Sequence, residues 1–273
     1  MSKESARVHV QITLIQGLGF RLKPGATVLD LGCGNGSIVK QYRGLGYEAF
    51  GCDFAFKESP DVESLHSQGL IRLIERKPYR LPFADDIFDL VLSDQVFEHV
   101  KNYDETLSEI RRVLKPEGMS LHFFPSRYTP IEPHVHVPLA TIIQSRWWLA
   151  IWALLGVRAS LQKGMSVRAV IDANHVYLTS HTNYLSRSAI ERCVSTYFRD
   201  YGFCESLFLK CSNRGRIIHK VSRFLPVLPW VYGMLRARVL FFRKRLDLHP
   251  RSATRVARHR LGFDAPRMSS RVK

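Results

Sequence analysis

Three short stretches hold the residues best suited to chemistry. The run VLDLGCGNG (28–36) sets Asp30 just ahead of glycines 32, 34 and 36. Glycine takes positive φ at no steric cost and has no Cβ, so such a turn lets the backbone approach a ligand closely. VFEHV (96–100) places Glu98 beside His99, and PIEPHVHVP (130–138) places Glu132, His134 and His136 among three prolines. Carboxylates and imidazoles can hold a metal or move protons. The prolines deny the last stretch a helix. Read as extended, it points His134 and His136 to opposite sides, which argues against both binding one ion.

The elements that must position these residues alternate in kind. ATVLDL (26–31) is an apolar run ending in the glycine turn, as a buried strand would. SIVKQYRGLG reads as a helix with a glycine stop, and YEAFGCD as a second strand ending in Asp53. FDLVLSD (88–94) and MSLHFFP (119–125) are further strands, separated by the amphipathic helix DETLSEIRRVL, with Leu107, Ile110 and Leu114 on one face. SRSAIERCVSTYFRDYGF predicts a helix capped by Ser186 or Ser188, and CESLFLKC (204–211) a returning strand. The N-terminal residues predict an amphipathic helix (Val8, Ile12, Ile15) and not a signal peptide. Strands alternating with helices imply an α/β fold: a Rossmann-like, doubly wound, mostly parallel sheet. Residues 127–182 break the rhythm and predict a lid inserted over one end of the sheet, where α/β proteins bind ligands. The expected organisation is a domain over 1–213 and a basic, partly apolar, helical extension over 214–273.

The glycine spacing G-x-G-x-G is one residue short of the nicotinamide pattern, and Asp53 follows Gly32 by 21 residues, at the place of a ribose diol. Together VLDLGCGNG, Asp53, LPFADDIFDLVLSDQVFEHV and EIRRVLKPEGMSLHFFP resemble, in order, the class I S-adenosylmethionine-dependent methyltransferases, close to the ubiquinone and menaquinone group. The likeness covers residues 24–126 and fades towards 211. It implies S-adenosylmethionine as cofactor. By the same resemblance Asp30, Gly32, Gly34 and Gly36 line its methionine end, Asp53 holds the ribose, Phe54 borders the adenine, and Asp94 and Gln95 flank the sulfonium. Lys77 or Pro78 stands where the family often has an acid for the adenine amino group. Adenine recognition is therefore expected from the backbone or elsewhere.

Ubiquinone-type O-methyltransferases carry E-x-x-E-H, which implies a divalent cation. Gln95 replaces the first glutamate here, and an amide is a poorer ligand for a hard cation, so no metal is expected. His134, Glu132 and His99 are instead the candidates to touch the methyl acceptor. The implied reaction is methylation, at oxygen, of an amphiphilic small molecule, a lipid-linked intermediate or a glycan precursor.

The five cysteines form no C-x-x-C pair, which fits reduced thiols and a cytoplasmic setting. The net charge of +16 is concentrated in 214–273, with 16 Lys or Arg against two acids. WWLAIWALLGV is too short to span a bilayer, which takes about 20 residues, and reads either as a lid or as an interfacial contact. With FLPVLPWVYGMLRARVLFFRKR it suggests peripheral contact with an anionic membrane, at the inner face, through 147–156 and 224–245. Nucleic acid is the alternative partner for the basic segment, as for an RNA methyltransferase. Against it, the fourth strand ends in SDQV, not in an N-P-P-Y-type loop for base amino groups. A third reading is a non-catalytic module that binds S-adenosylmethionine.

Overall fold

The computed structural model describes residues 3–212 and 215–245. In chain order the N-terminal half runs α1 (Lys3–Gly17), β1 (Thr27–Leu31), α2 (Ser37–Gly44), β2 (Glu48–Asp53), α3 (Val62–Ser67), β3 (Ile71–Leu73), the ribbon β4 (Glu75–Arg76) and β5 (Tyr79–Arg80), then β6 (Phe88–Asp94). It continues with α4 (Tyr103–Val113), β7 (Leu114–Pro125), α5 (Arg146–Leu154), α6 (Val167–His181) and α7 (Arg187–Tyr197). Last come β8 (Asp200–Phe203), α8 (Glu205–Cys211), α9 (Gly215–Val221), α10 (Leu228–Leu235) and β9 (Ala237–Arg243).

Apolar runs with buried residues on both faces make a sheet that must be covered on both sides. The seven strands lie in the order β3-β2-β1-β6-β7-β9-β8. The first five are parallel, while β9 is antiparallel to both β7 and β8. This is the Rossmann-like, doubly wound, mostly parallel sheet. One apolar layer, with Leu107, Ile110 and Ile190, covers one face, and a second, with Leu14, Ile15 and Val39, covers the other. Strand order reverses between β1 and β6, so a crevice opens at their carboxyl ends, just before Gly32 and Gln95.

Two expectations for the C-terminal part are corrected. CESLFLKC is mostly the helix α8, because a short apolar run fits either period and here Leu209 alone turns fully inward. The segment from 214 is not a separate extension throughout: Ala237–Arg243 fills the sheet position between β7 and β8, burying Val239, Leu240 and Phe242. Its charges are also engaged. Arg238 is buried against Glu205 at 3.5 Å, and Arg245 pairs with Asp200 at 2.7 Å. Lys244 pairs with Asp86 and donates to the Leu114 carbonyl. Arg238, Lys244 and Arg245 therefore help close the domain. The rest of the extension, beyond 245, lies outside the described residues.

His122, in the middle of β7, is fully buried between the rings of Phe97 and Phe242, with Ser93 Oγ at 2.7 Å and Ser120 Oγ at 2.6 Å. Burial alone pushes its pKa down to about 3, so the folded protein holds it neutral. An unfolded histidine takes a proton near pH 6.5, so this contribution is whole above pH 6.5 and is lost as pH falls towards 3. His122→Asn should be less stable at pH 7. Between pH 6 and 4 its urea stability should fall less steeply than that of wild type, by about 1.4 kcal/mol per pH unit. Equal slopes would contradict this account of His122.

Candidate active site

A cleft of about 730 Å³ lies at the carboxyl ends of β1, β2 and β6, within the usual range for small-molecule sites. Its floor is the glycine turn, where Gly32, Gly34 and Gly36 all have positive φ (76°, 54° and 72°). A Cβ on Gly32 would collide with Val96, and one on Gly36 would come within 2.5 Å of Leu65. The turn thus has no room for a side chain at Gly32 or Gly36. Asp53 tethers it: Oδ2 accepts the Gly34 N–H at 2.9 Å and Oδ1 accepts the Phe54 N–H at 2.7 Å.

Gly32, Asp53, Phe54, Asp94 and Gln95 line the cleft. Asp30, Gly34 and Gly36 do not. Asp30 is buried, and burial followed by the charges of Asp94 and Asp53 pushes its pKa up to about 8, against the pull of Arg7. Asp94 is paired with Arg7 of α1 at 3.0 Å. Sequence reasoning passed over Arg7, because nothing in a helical repeat marks which exposed arginine folds back over the sheet. Phe54, Arg76 and Tyr79 form one wall, the Arg76 guanidinium lying 4.3 Å from the centre of the Phe54 ring. This wall occupies the region where the family's adenine acid is missing.

The opposite end of the cleft is built from the turn after β6 and the cap over residues 127–182. His99, His134, Tyr177 and His181 line it. The cap has its own small core of Val135, Val137, Ala140, Leu149 and Leu178. It is tied to the domain by polar contacts: Asn183 N–H donates to the Glu98 carbonyl at 2.5 Å, and Lys101 Nζ donates to the Thr179 carbonyl at 3.1 Å. The tryptophan segment forms a helix of this cap, α5, with Leu149 and Ala153 buried and Trp148 Nε1 donating to the Pro138 carbonyl at 2.7 Å. Its other face is open to solvent, with Trp147 62% and Leu154 73% exposed.

Residues 130–138 are a tight turn, not an extended run: His136 N–H donates to the Glu132 carbonyl, and Ile131 bridges Pro138. The cause is Glu132, whose fully buried carboxylate accepts the N–H groups of His134 (2.7 Å) and Val135 (2.6 Å), His134 Nδ1 (2.8 Å) and the Tyr184 hydroxyl (2.6 Å). Burial pushes this carboxyl up, but the hydrogen bonds from His134, Tyr184 and Val135 prevail and hold it below the ordinary glutamate value. Glu132 does not line the cleft, so it positions His134 and is not placed to touch an acceptor. His136 is exposed, with φ +60°, on the far side of the turn. His99 and His134, 35 positions apart in sequence, come together with ring centres 5.1 Å apart. Burial first lowers the pKa of His99, and the neighbouring His134 lowers it further, against the His181 carbonyl. The imidazole is thus neutral near pH 7.

This sheet, with a glycine turn and the Asp53 carboxylate at its switch point, has the arrangement of a class I S-adenosylmethionine-dependent methyltransferase domain. Residues 29–121 match the family model described as "Methyltransferase domain". The cyclopropane-fatty-acyl-phospholipid synthase of Escherichia coli is 36% identical over 115 residues, 41% of this chain and 29% of that one. A malonyl-(acyl-carrier protein) O-methyltransferase of Pseudescherichia vulneris is 23% identical over 66% of this chain and 77% of its own. A ubiquinone biosynthesis O-methyltransferase of Cereibacter sphaeroides is 34% identical over 36% of this chain and 40% of its own. The chain thus spans well under two thirds of the synthase and of the ubiquinone enzyme. The glycine turn, where Gly32 and Gly36 leave no room for a Cβ and Gly32 lines the cleft, fits S-adenosylmethionine.

Proposed function

We propose that this protein transfers the methyl group of S-adenosylmethionine to an oxygen of an amphiphilic small molecule, such as a lipid-linked intermediate or a glycan precursor. The observation that carries the reading is one continuous cleft. It joins the glycine turn and Asp53 at one end to the paired imidazoles of His99 and His134 at the other. When bound, the cofactor supplies an activated methyl group for in-line displacement. Gly32, Asp53 and Asp94 hold the donor, and the cap residues Tyr177 and His181 close the acceptor end against water. Fixing donor and acceptor in line is the main service a protein gives this reaction. A hydroxyl acceptor also has to lose a proton, which points to the His99 and His134 end of the cleft.

An anionic membrane surface as the place of work is supported by apolar side chains left in solvent. Besides the outer face of α5, Phe224 is 86% and Trp230 56% exposed next to Lys220 and Arg223. Exposed aromatic residues beside basic ones suit such a surface. No helix among the described residues is long and apolar enough to cross a membrane.

The test follows labelled methyl from the cofactor into lipid, glycan and RNA fractions of the source cell. Label in a lipid or lipid-linked glycan fraction is expected. Label in RNA alone would favour a nucleic-acid substrate, and cofactor binding without label anywhere would favour a non-catalytic module. Flotation of the full chain with phosphatidylglycerol vesicles, but not with phosphatidylcholine vesicles, is the expected companion result.

A further inference from the structure

Glu98 is the least satisfied side chain in the cleft region. It is 2% exposed, yet neither carboxylate oxygen has a hydrogen-bond partner among the described residues. A buried bare carboxylate is destabilising unless something pairs with it. The groups nearest its oxygens include His99, with Nε2 3.9 Å from Oε1.

The two imidazoles beside it are both anchored from behind. His99 Nδ1 lies 2.6 Å from the His181 carbonyl oxygen, and His134 Nδ1 lies 2.8 Å from Glu132 Oε1. Carbonyl and carboxylate oxygens only accept, so each ring carries a proton on Nδ1. In the neutral ring that leaves Nε2 with a free lone pair. A histidine oriented through its second nitrogen by a carbonyl or carboxylate is the usual arrangement behind a metal ion. One ligand atom each of Glu98, His99 and His134 falls within 4.8 Å of the other two.

We propose that Glu98, His99 and His134 bind a single divalent transition-metal ion of the zinc type. This departs from the expectation of no metal, which rested on Gln95 and on reading His134 as part of an extended strand. The third ligand comes from the cap, not from the position that Gln95 occupies. Two nitrogens and one carboxylate oxygen suit zinc, cobalt or iron(II), and disfavour magnesium and calcium, which take oxygen ligands. Three protein ligands leave a coordination position free, and His99 and His134 face the cleft. An ion there polarises an acceptor oxygen and eases loss of its proton. That use rests on the methyl-transfer reading; binding of the ion does not.

The experiment titrates the full chain, freed of metal by dialysis against a chelator, with cobalt(II) chloride followed by visible absorption, in the absence of cofactor and acceptor. Zinc chloride is then used to displace the cobalt. One cobalt per chain is expected, with binding weakened at least about 10- to 100-fold in Glu98→Gln and His134→Gln. His136→Ala, on the solvent side of the same turn, should bind like wild type. Zinc should raise the melting temperature of wild type and leave that of Glu98→Gln unchanged. Failure of folded wild type to bind cobalt stoichiometrically overturns the proposal, and so does wild-type affinity in a folded Glu98→Gln. A protein that binds cobalt as expected but methylates nothing leaves this site standing and removes only the proposed reaction.

Discussion

Asp53→Ala should weaken S-adenosylmethionine binding by about 10- to 150-fold, the range that hydrogen bonds to a charged group span at about 1.5–3 kcal/mol. The carboxylate has two jobs. It tethers the glycine turn through the Gly34 N–H and caps the end of β2 through the Phe54 N–H, while its remaining lone pairs face the cleft. Alanine removes the tether and the cofactor contact together. Asp53→Asn keeps one acceptor oxygen and should fall between alanine and wild type. Asp53 is only half-buried, so circular dichroism and melting temperature should change little while calorimetry shows the loss. Wild-type affinity in Asp53→Ala would mean that the cofactor does not sit at the end of β2.

The half of the site made by consecutive elements was legible in the sequence. β1 with its glycine turn, Asp53 at the end of β2, and β6 running into Gln95 are each local patterns, in which one buried strand delivers its last residues to a known edge. Ser186 was legible as a cap for the same reason, and its hydroxyl accepts the Ala189 N–H at 3.2 Å. The acceptor half was not legible, since it depends on side chains meeting across distance in sequence. Nothing in PIEPHVHVP shows that Glu132 folds the segment over itself, nor that His134 thereby reaches His99. β9 was missed for a related reason. ARVLFFR has the burial of a central strand, but its arginines read as a basic border until Glu205 and Asp200 are seen to pair with them.

Glu132→Ala should be the more damaging change to the fold, costing about 3–5 kcal/mol locally, the usual penalty for removing one partner from a buried charged network. Two backbone N–H groups, an imidazole and the Tyr184 hydroxyl converge on this carboxylate, and alanine leaves all four without an acceptor. The damage should fall on the cap first, because the cap has its own core, separate from the two layers on the sheet. Three of the four tryptophans lie in α5, so fluorescence reports the cap while far-ultraviolet circular dichroism reports the whole domain. In the variant the fluorescence transition in urea should move to lower denaturant than the dichroism transition; in wild type the two should lie closer. Acid should mimic the mutation. The Glu132 pKa is held below the ordinary value, so its contribution is complete above about pH 4.5 and is lost as pH falls through the lower folded value. A general base at Glu132 would require the opposite pattern, with activity lost and cap stability unchanged. Four donors on two oxygens leave little capacity for a fifth proton, so a loss of activity should track the loosening of the cap.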